Sequence, residues 1–202
     1  MDSNSDHPLV LVHGLWDSPR IFDELIKRLE PLNFSLLTPS LPHNLGKTSI
    51  RTLAKELDKI IVENLGSEIT VDLLGFSMGG LISRVWLQDL GGALRTSRFI
   101  SVGTPHKGTL AAQLVPSSLF PGIAEMKKGS SFLCELNNNC EALHMVECLS
   151  FYCFLDLMVF PGWQAKLDIG YRSSVSVLTH KQLISNSNAL DILQRAILKR
   201  RD

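Results

Sequence analysis

The sequence predicts a doubly wound, mostly parallel α/β sheet with helices on both faces. Three observations lead there. Short apolar runs alternate with amphipathic helical stretches through the first half of the chain. The runs are continuous rather than alternating, which marks strands buried on both faces. Strand–helix–strand order demands right-handed crossovers, and these lay helices over both sides of one sheet. At 202 residues with 45% hydrophobic content, a single domain spanning residues 1–202 is expected, with enough apolar surface for a packed core.

Pro8-Leu9-Val10-Leu11-Val12 is the first strand, ended by His13-Gly14. Arg20 to Glu30 follows at helical spacing through Ile21, Phe22, Leu25, Ile26 and Leu29, and Pro31 stops it. Phe34 to Leu37 is a short strand. Thr48 or Ser49 can cap the next helix, whose stripe runs from Ile50 to Leu65 and ends at Gly66. Ile69 to Leu74 is a strand, Leu81 to Leu90 a helix and Phe99 to Val102 a strand. Later come strands over Phe151 to Leu155 and Ser174 to Leu178, and a last helix over Ala189 to Leu198. Between them, residues 108–147 are rich in proline, glycine and lysine with only short helical patches. Long irregular segments in compact domains are commonly functional, so this one is expected to form a cap or lid. Its Leu119 and Phe120 are candidates for an acyl-binding wall.

Ligands bind at the carboxyl ends of strands in such sheets. "GFSMGG" (Gly75 to Gly80) stands at one such end, between a strand and a helix. It has the G-x-S-x-G pattern, in which a sharp turn lifts a serine off the sheet. The positions two before and two after that serine crowd neighbouring backbone and must lack side chains. Ser77 is therefore the candidate nucleophile. The Met78 amide, directly after it, and the Leu15 amide, on the glycine-opened loop after the first strand, are candidate oxyanion donors. Trp16 beside Leu15 is a candidate substrate contact. His13 is expected to brace that loop.

A base must come from another strand end. His180 follows the last predicted strand and fits the chain order serine, acid, histidine. It is favoured over His106, which ends a strand in "GTPHKGT". Asp156 follows an apolar run and lies at the active edge. Asp168 precedes the last strand and Asp191 lies beyond His180, so Asp156 is the favoured acid.

On these residues the chain resembles the α/β-hydrolase superfamily, in its lipase/esterase-like branch, and is similar to bacterial lipases and small bacterial hydrolases. The matching stretches are "LVHGLW", "GFSMGG", "GTPHKGT", "MKKGSSFLCELN" and the segments around Asp156 and His180. The resemblance implies a Ser77–His180–Asp156 triad, acyl-ester substrates and a site-shaping role for His106 in contact with substrate. The alternatives are a thioesterase or acyltransferase on the same triad and an inactive hydrolase fold used for binding.

Lys plus Arg equals Asp plus Glu at 20 each, which gives no reason to expect nucleic acid as a partner. A small-molecule or lipid ester is the expected ligand, with transient membrane-surface contact a weaker expectation. No aspartate pair matches a calcium site, and Cys134, Cys140, Cys148 and Cys153 lack a C-x-x-C pair, so no metal or cofactor is expected. The cysteines read as reduced packing thiols. The first residues, MDSNSDHP, lack the pattern of a secretory signal, so a cytoplasmic location is expected. The basic Lys199-Arg200-Arg201 reads as a solvated helix end.

Overall fold

A computed structural model describes residues 7–199. The first six residues and the basic pair Arg200-Arg201, which bear on the expected location and helix end, lie outside the described residues.

Among the described residues, six strands form one sheet in the order β2-β1-β3-β4-β5-β6, and every neighbouring pair is parallel. They are β1 (Leu9–Val12), β2 (Leu36–Leu37), β3 (Val71–Phe76), β4 (Thr96–Val102), β5 (Glu147–Tyr152) and β6 (Tyr171–Ser174). The helices are α1 (Asp23–Leu29), α2 (Ile50–Leu65), α3 (Met78–Asp89), α4 (Pro121–Glu125), α5 (Ser131–Asn138) and α6 (Ser187–Leu198).

The sheet divides the interior into two cores. Val10, Val12, Leu73 and Phe99 point to one face, where they meet Leu53 and Leu57 of α2, Leu81 and Trp86 of α3, and Phe132 and Leu136 of α5. Their chain neighbours Leu9, Leu11, Leu74 and Ile100 point to the other, against Leu25 and Leu29 of α1 and Leu190 and Leu193 of α6. Residues that alternate between two apolar faces explain why the strands read as continuous apolar runs.

Side-chain caps start several helices where the sequence offers them: Ser49 accepts from the Thr52 amide at α2, and Ser130 from Leu133 at α5. The segment 108–147 contains α4 and α5, and buries Ile123, Phe132, Leu133 and Leu136 in the first core. Arg84 of α3 fastens it further. Its fully buried guanidinium donates to Asn137 Oδ1 (2.8 Å) and to the Leu136 carbonyl (2.9 Å).

Two strands lie earlier in the chain than the sequence suggests. The ladder of β5 covers Glu147–Tyr152, and Phe154 and Leu155 of the expected run sit exposed beyond it. β6 is the polar edge strand Tyr171–Ser174, whereas Val175 and Val177 are buried just past it by packing against the second core.

Candidate active site

All strands run the same way, so their carboxyl ends share one edge of the sheet. Ser77 stands at the end of the central strand β3, one residue before α3, with φ 54° and ψ −126°. That backbone region is strained for a residue with a Cβ, and such strain clusters at functional sites. The turn is tight enough to exclude side chains on either flank. A Cβ on Gly75 would come 2.5 Å from Gly80 Cα, and one on Gly79 would come 2.0 Å from the Val12 carbonyl oxygen. The first amides of α3 have no intrahelical acceptor, and the helix dipole favours negative charge there.

The loop after β1 packs directly on this elbow. A Cβ on Gly14 would come 2.8 Å from Ser77 Cβ. His13 is buried and bridges the loop to the next segment: Nδ1–H donates to the Gly14 carbonyl (3.0 Å) and Nε2 accepts from the Leu41 amide (3.1 Å). Burial holds its pKa below the ordinary histidine value, in keeping with an imidazole that accepts a hydrogen bond. His43 donates from Nε2 to the Asp17 carbonyl (3.1 Å), a second clamp on the same loop.

His180 and Asp156 meet across the loops that follow β6 and β5. Nδ1–H of His180 donates to Asp156 Oδ2 at 2.6 Å. The other carboxylate oxygen, Oδ1, accepts the amides of Met158 and Val159, each at 2.9 Å. Asp156 is buried, and its two oxygens are thus held from different sides. The His180 ring lies 4.8 Å from that of Phe76, and it packs over Gly103. A Cβ at Gly103 would come 2.8 Å from His180 Cε1, and its φ of 57° is itself suited to glycine. Nε2 of His180 is buried and has no hydrogen-bond partner among the described residues.

Ser77 and His180 line one cavity of about 190 Å³. Leu15, Trp16 and Asp17 close one side, and Met126, Met158 and Val159 give it apolar walls. A second, mostly apolar groove of about 240 Å³ continues from Met158 and His180 past Leu155, Leu157 and Leu178.

Of the residues singled out from sequence, Ser77, His180, Leu15 and Trp16 are brought to this cavity, with Asp156 directly behind His180 and Met78 next to Ser77 in the chain. His106 is not. It is buried on Ser101 Oγ (2.9 Å from Nε2) and lines a separate small cavity beside Asn137 and Cys140. Burial, helped by the positive charges of Arg84 and Lys107, pushes its pKa well below the ordinary value. Leu119 and Phe120 also lie outside the Ser77 cavity. Phe120 caps the short α4 and packs on the first core, while Leu119 projects outward. Thr109 and Met126 are the residues of segment 108–147 that reach the cavity. The other acids are engaged elsewhere: Asp168 with Lys107 (2.7 Å), and Asp191 with Arg28. Sequence reading missed Asp17, Met158 and Val159. The last two carried a signal, since an aspartate commonly accepts amides two and three residues on.

A family model described as the alpha/beta hydrolase fold matches residues 7–130, more than half of the chain. The chain belongs to that family. Its solved likenesses include lipases. The lipase BlEst2 of Bacillus licheniformis in its propeptide form is 17% identical, with a TM-score of 0.75 over 100% of this chain. This chain spans only 52% of that protein, but 92% of the mature form, which is 18% identical with a TM-score of 0.74 over 96% of this chain. Aspergillus fumigatus lipase B gives a TM-score of 0.78 at 17% identity, over 96% of this chain and 52% of its own. At such identities the likeness speaks for the fold. No curated protein matches the chain. Among the described residues, no helix is long and apolar enough to cross a membrane.

Proposed function

We propose that this hydrolase cleaves carboxylic esters through an acyl-enzyme, with Ser77 as nucleophile, His180 as base and Asp156 as its orienting acid. The observation that carries the reading is the Asp156–His180 hydrogen bond of 2.6 Å behind a cavity shared by His180 and the strained Ser77. With Nδ1 committed to Asp156, Nε2 faces its task as a proton acceptor. His180 takes the Ser77 proton as Oγ attacks the ester carbonyl, and the Leu15 and Met78 amides receive the developing oxyanion. His180 then gives the proton to the leaving alcohol. Water attacks the acyl-enzyme with His180 again as base, releasing the acid and restoring Ser77.

The apolar walls of Met126, Met158 and Val159 and the groove past Leu155 and Leu178 support an apolar acyl chain, each buried methylene contributing about 0.8 kcal/mol. A lipid ester fits this reading. The test is labelling with a fluorophosphonate together with hydrolysis of p-nitrophenyl butyrate. Wild-type protein is expected to react with both. Ser77→Ala should lose labelling and about 10⁴-fold or more of the rate. A folded Ser77→Ala protein that hydrolyses at the wild-type rate overturns the assignment. Faster turnover of acyl-CoA than of matched oxygen esters would move the substrate class to thioesters.

A further inference from the structure

Trp16 and Asp17 follow the loop residue Leu15, and the acyl-transfer steps above use neither. Trp16 is held at φ 63°, a backbone region that bulky residues avoid. Its side chain is nonetheless not tucked away, for the residue is 57% exposed at the rim of the Ser77 cavity. Strain of this kind persists where the surrounding structure enforces it, and it concentrates at ligand sites.

Asp17 is unusual in a different way. It is half-buried, and its carboxylate makes no hydrogen bond or ion pair among the described residues. Burial pushes its carboxyl above the ordinary range, although His13, His180, Lys181 and His43 pull it back. A half-desolvated carboxylate with no direct hydrogen bond or ion pair gains from a cation that can reach it. It also stands close to the chemistry: the Cβ position at Gly14 lies 2.8 Å from Ser77 Cβ and 3.2 Å from Asp17 Oδ2.

Both residues line two spaces at once, the Ser77 cavity and an adjoining polar trough of about 370 Å³. The trough carries Asp17, Asp23 and Glu24 against Arg20 and Lys181. Arg20 and Lys181 are exposed, so their charges are screened by water more than that of the half-buried Asp17. An aromatic face attracts cations through its quadrupole, and a neighbouring carboxylate adds the opposite charge.

We propose that Trp16 and Asp17 form a subsite for a cationic ammonium group, which makes esters carrying such a group a few bonds from the reacting carbonyl the favoured substrate class. This rests on the ester-hydrolase reading above. The ammonium can belong to the leaving alcohol or to the acyl part, and the chemistry at Trp16 and Asp17 is the same for both.

The test compares butyrylthiocholine with its uncharged isostere, 3,3-dimethylbutyl thiobutyrate. A second arm compares ethyl thioesters of 4-trimethylammoniobutyrate and 5,5-dimethylhexanoate, so that the cation sits on the acyl side. Wild-type kcat/KM should favour the charged member about tenfold in one arm, which locates the ammonium. Asp17→Asn and Trp16→Leu should each pull that ratio towards one. Choline should also produce a saturable change in tryptophan fluorescence that Asp17→Asn weakens and Trp16→Leu abolishes, a readout that needs no turnover. Equal rates for charged and uncharged esters in both arms, or a preference that survives both substitutions, would overturn the proposal. Choline binding that depends on Asp17 in a protein that cleaves none of the four esters would uphold the subsite and sink the hydrolase reading instead.

Discussion

Asp156 grips His180 with one carboxylate oxygen and the amides of Met158 and Val159 with the other. The imidazole is thus tied to a rigid turn rather than to a freely rotating side chain. Asp156→Asn replaces one acceptor oxygen by an amide donor, so either the turn or the ring loses its partner. A loss on the order of 10⁴ in kcat is expected. Asp168→Asn touches only exposed pairs with Lys107 and Arg172 and should keep the rate within about threefold. Ester hydrolysis by the two purified variants checks this, and a dead Asp168→Asn protein would reassign the acid.

The elbow makes opposite demands on two neighbouring positions. Ser77 carries a Cβ in a backbone conformation suited to glycine, while Gly79 has no room for one. Ser77→Gly and Ser77→Ala both lack the hydroxyl, yet the glycine variant should be the more stable by about 1 kcal/mol, through relief of strain. Gly79→Ala drives a methyl into the Val12 carbonyl and should cost about 3 kcal/mol or more. Urea unfolding of the three proteins decides both points.

Acid should weaken the fold through its buried histidines. His13 and His106 are buried, and their folded pKa values are depressed. The unfolded chain binds a proton at each below about pH 6.5 while the folded chain does not, so stability is full above that pH and is lost as pH falls. Each such histidine contributes a slope of up to about 1.4 kcal/mol per pH unit until its folded pKa is reached. Asp17, Asp72 and Glu125 have raised folded pKa values, so they act in the opposite sense. Urea unfolding at pH 7.5 and 5.5 should therefore differ by about 1 kcal/mol or more, and His106→Gln should reduce the difference, leaving the share of His13. A stability that does not change over this window would contradict neutral burial of both rings.

Arg84 should be an anchor whose loss is felt first in the segment it holds. Its guanidinium is buried with no carboxylate in ion-pair contact among the described residues, and it donates to Gln88, Asn137 and the Leu136 carbonyl. Burial lowers its pKa to about 10, so it stays charged at neutral pH. Arg84→Ala leaves a cavity and unpaired acceptors, for about 2–4 kcal/mol. Limited proteolysis should then cut near α5 before the sheet is attacked. Cleavage elsewhere, with α5 intact, would show that the segment is held by its apolar contacts alone.

The parts of this molecule legible in its sequence are those whose role is set locally. Continuous apolar runs mark β1, β3 and β4 because these strands are covered on both faces. The elbow is readable because its glycines answer to sterics within a few residues. β6 is not, because an edge strand such as Tyr171–Ser174 needs no apolar signal. Phe154 and Leu155 mislead for the converse reason, being apolar yet exposed. Leu119 and Phe120 resemble an acyl wall in composition, but the direction in which α4 turns is a tertiary fact. Asp17 has no motif at all. Its interest comes from what surrounds it once β1, β3 and the His180 loop are brought together.

The stretch from Gln113 to Leu119 is exposed along almost its whole length, between β4 and the buried helices of its own segment. It also divides the candidate chemistry. Everything built on Ser77 precedes it, whereas Asp156 and His180 follow it. A break there would yield two fragments, each without activity, whose reunion is driven by the pairing of β4 with β5 and by the shared first core. On the proposed reading, ester turnover would then report the docking of one half on the other, and the chain would carry the design of a split reporter.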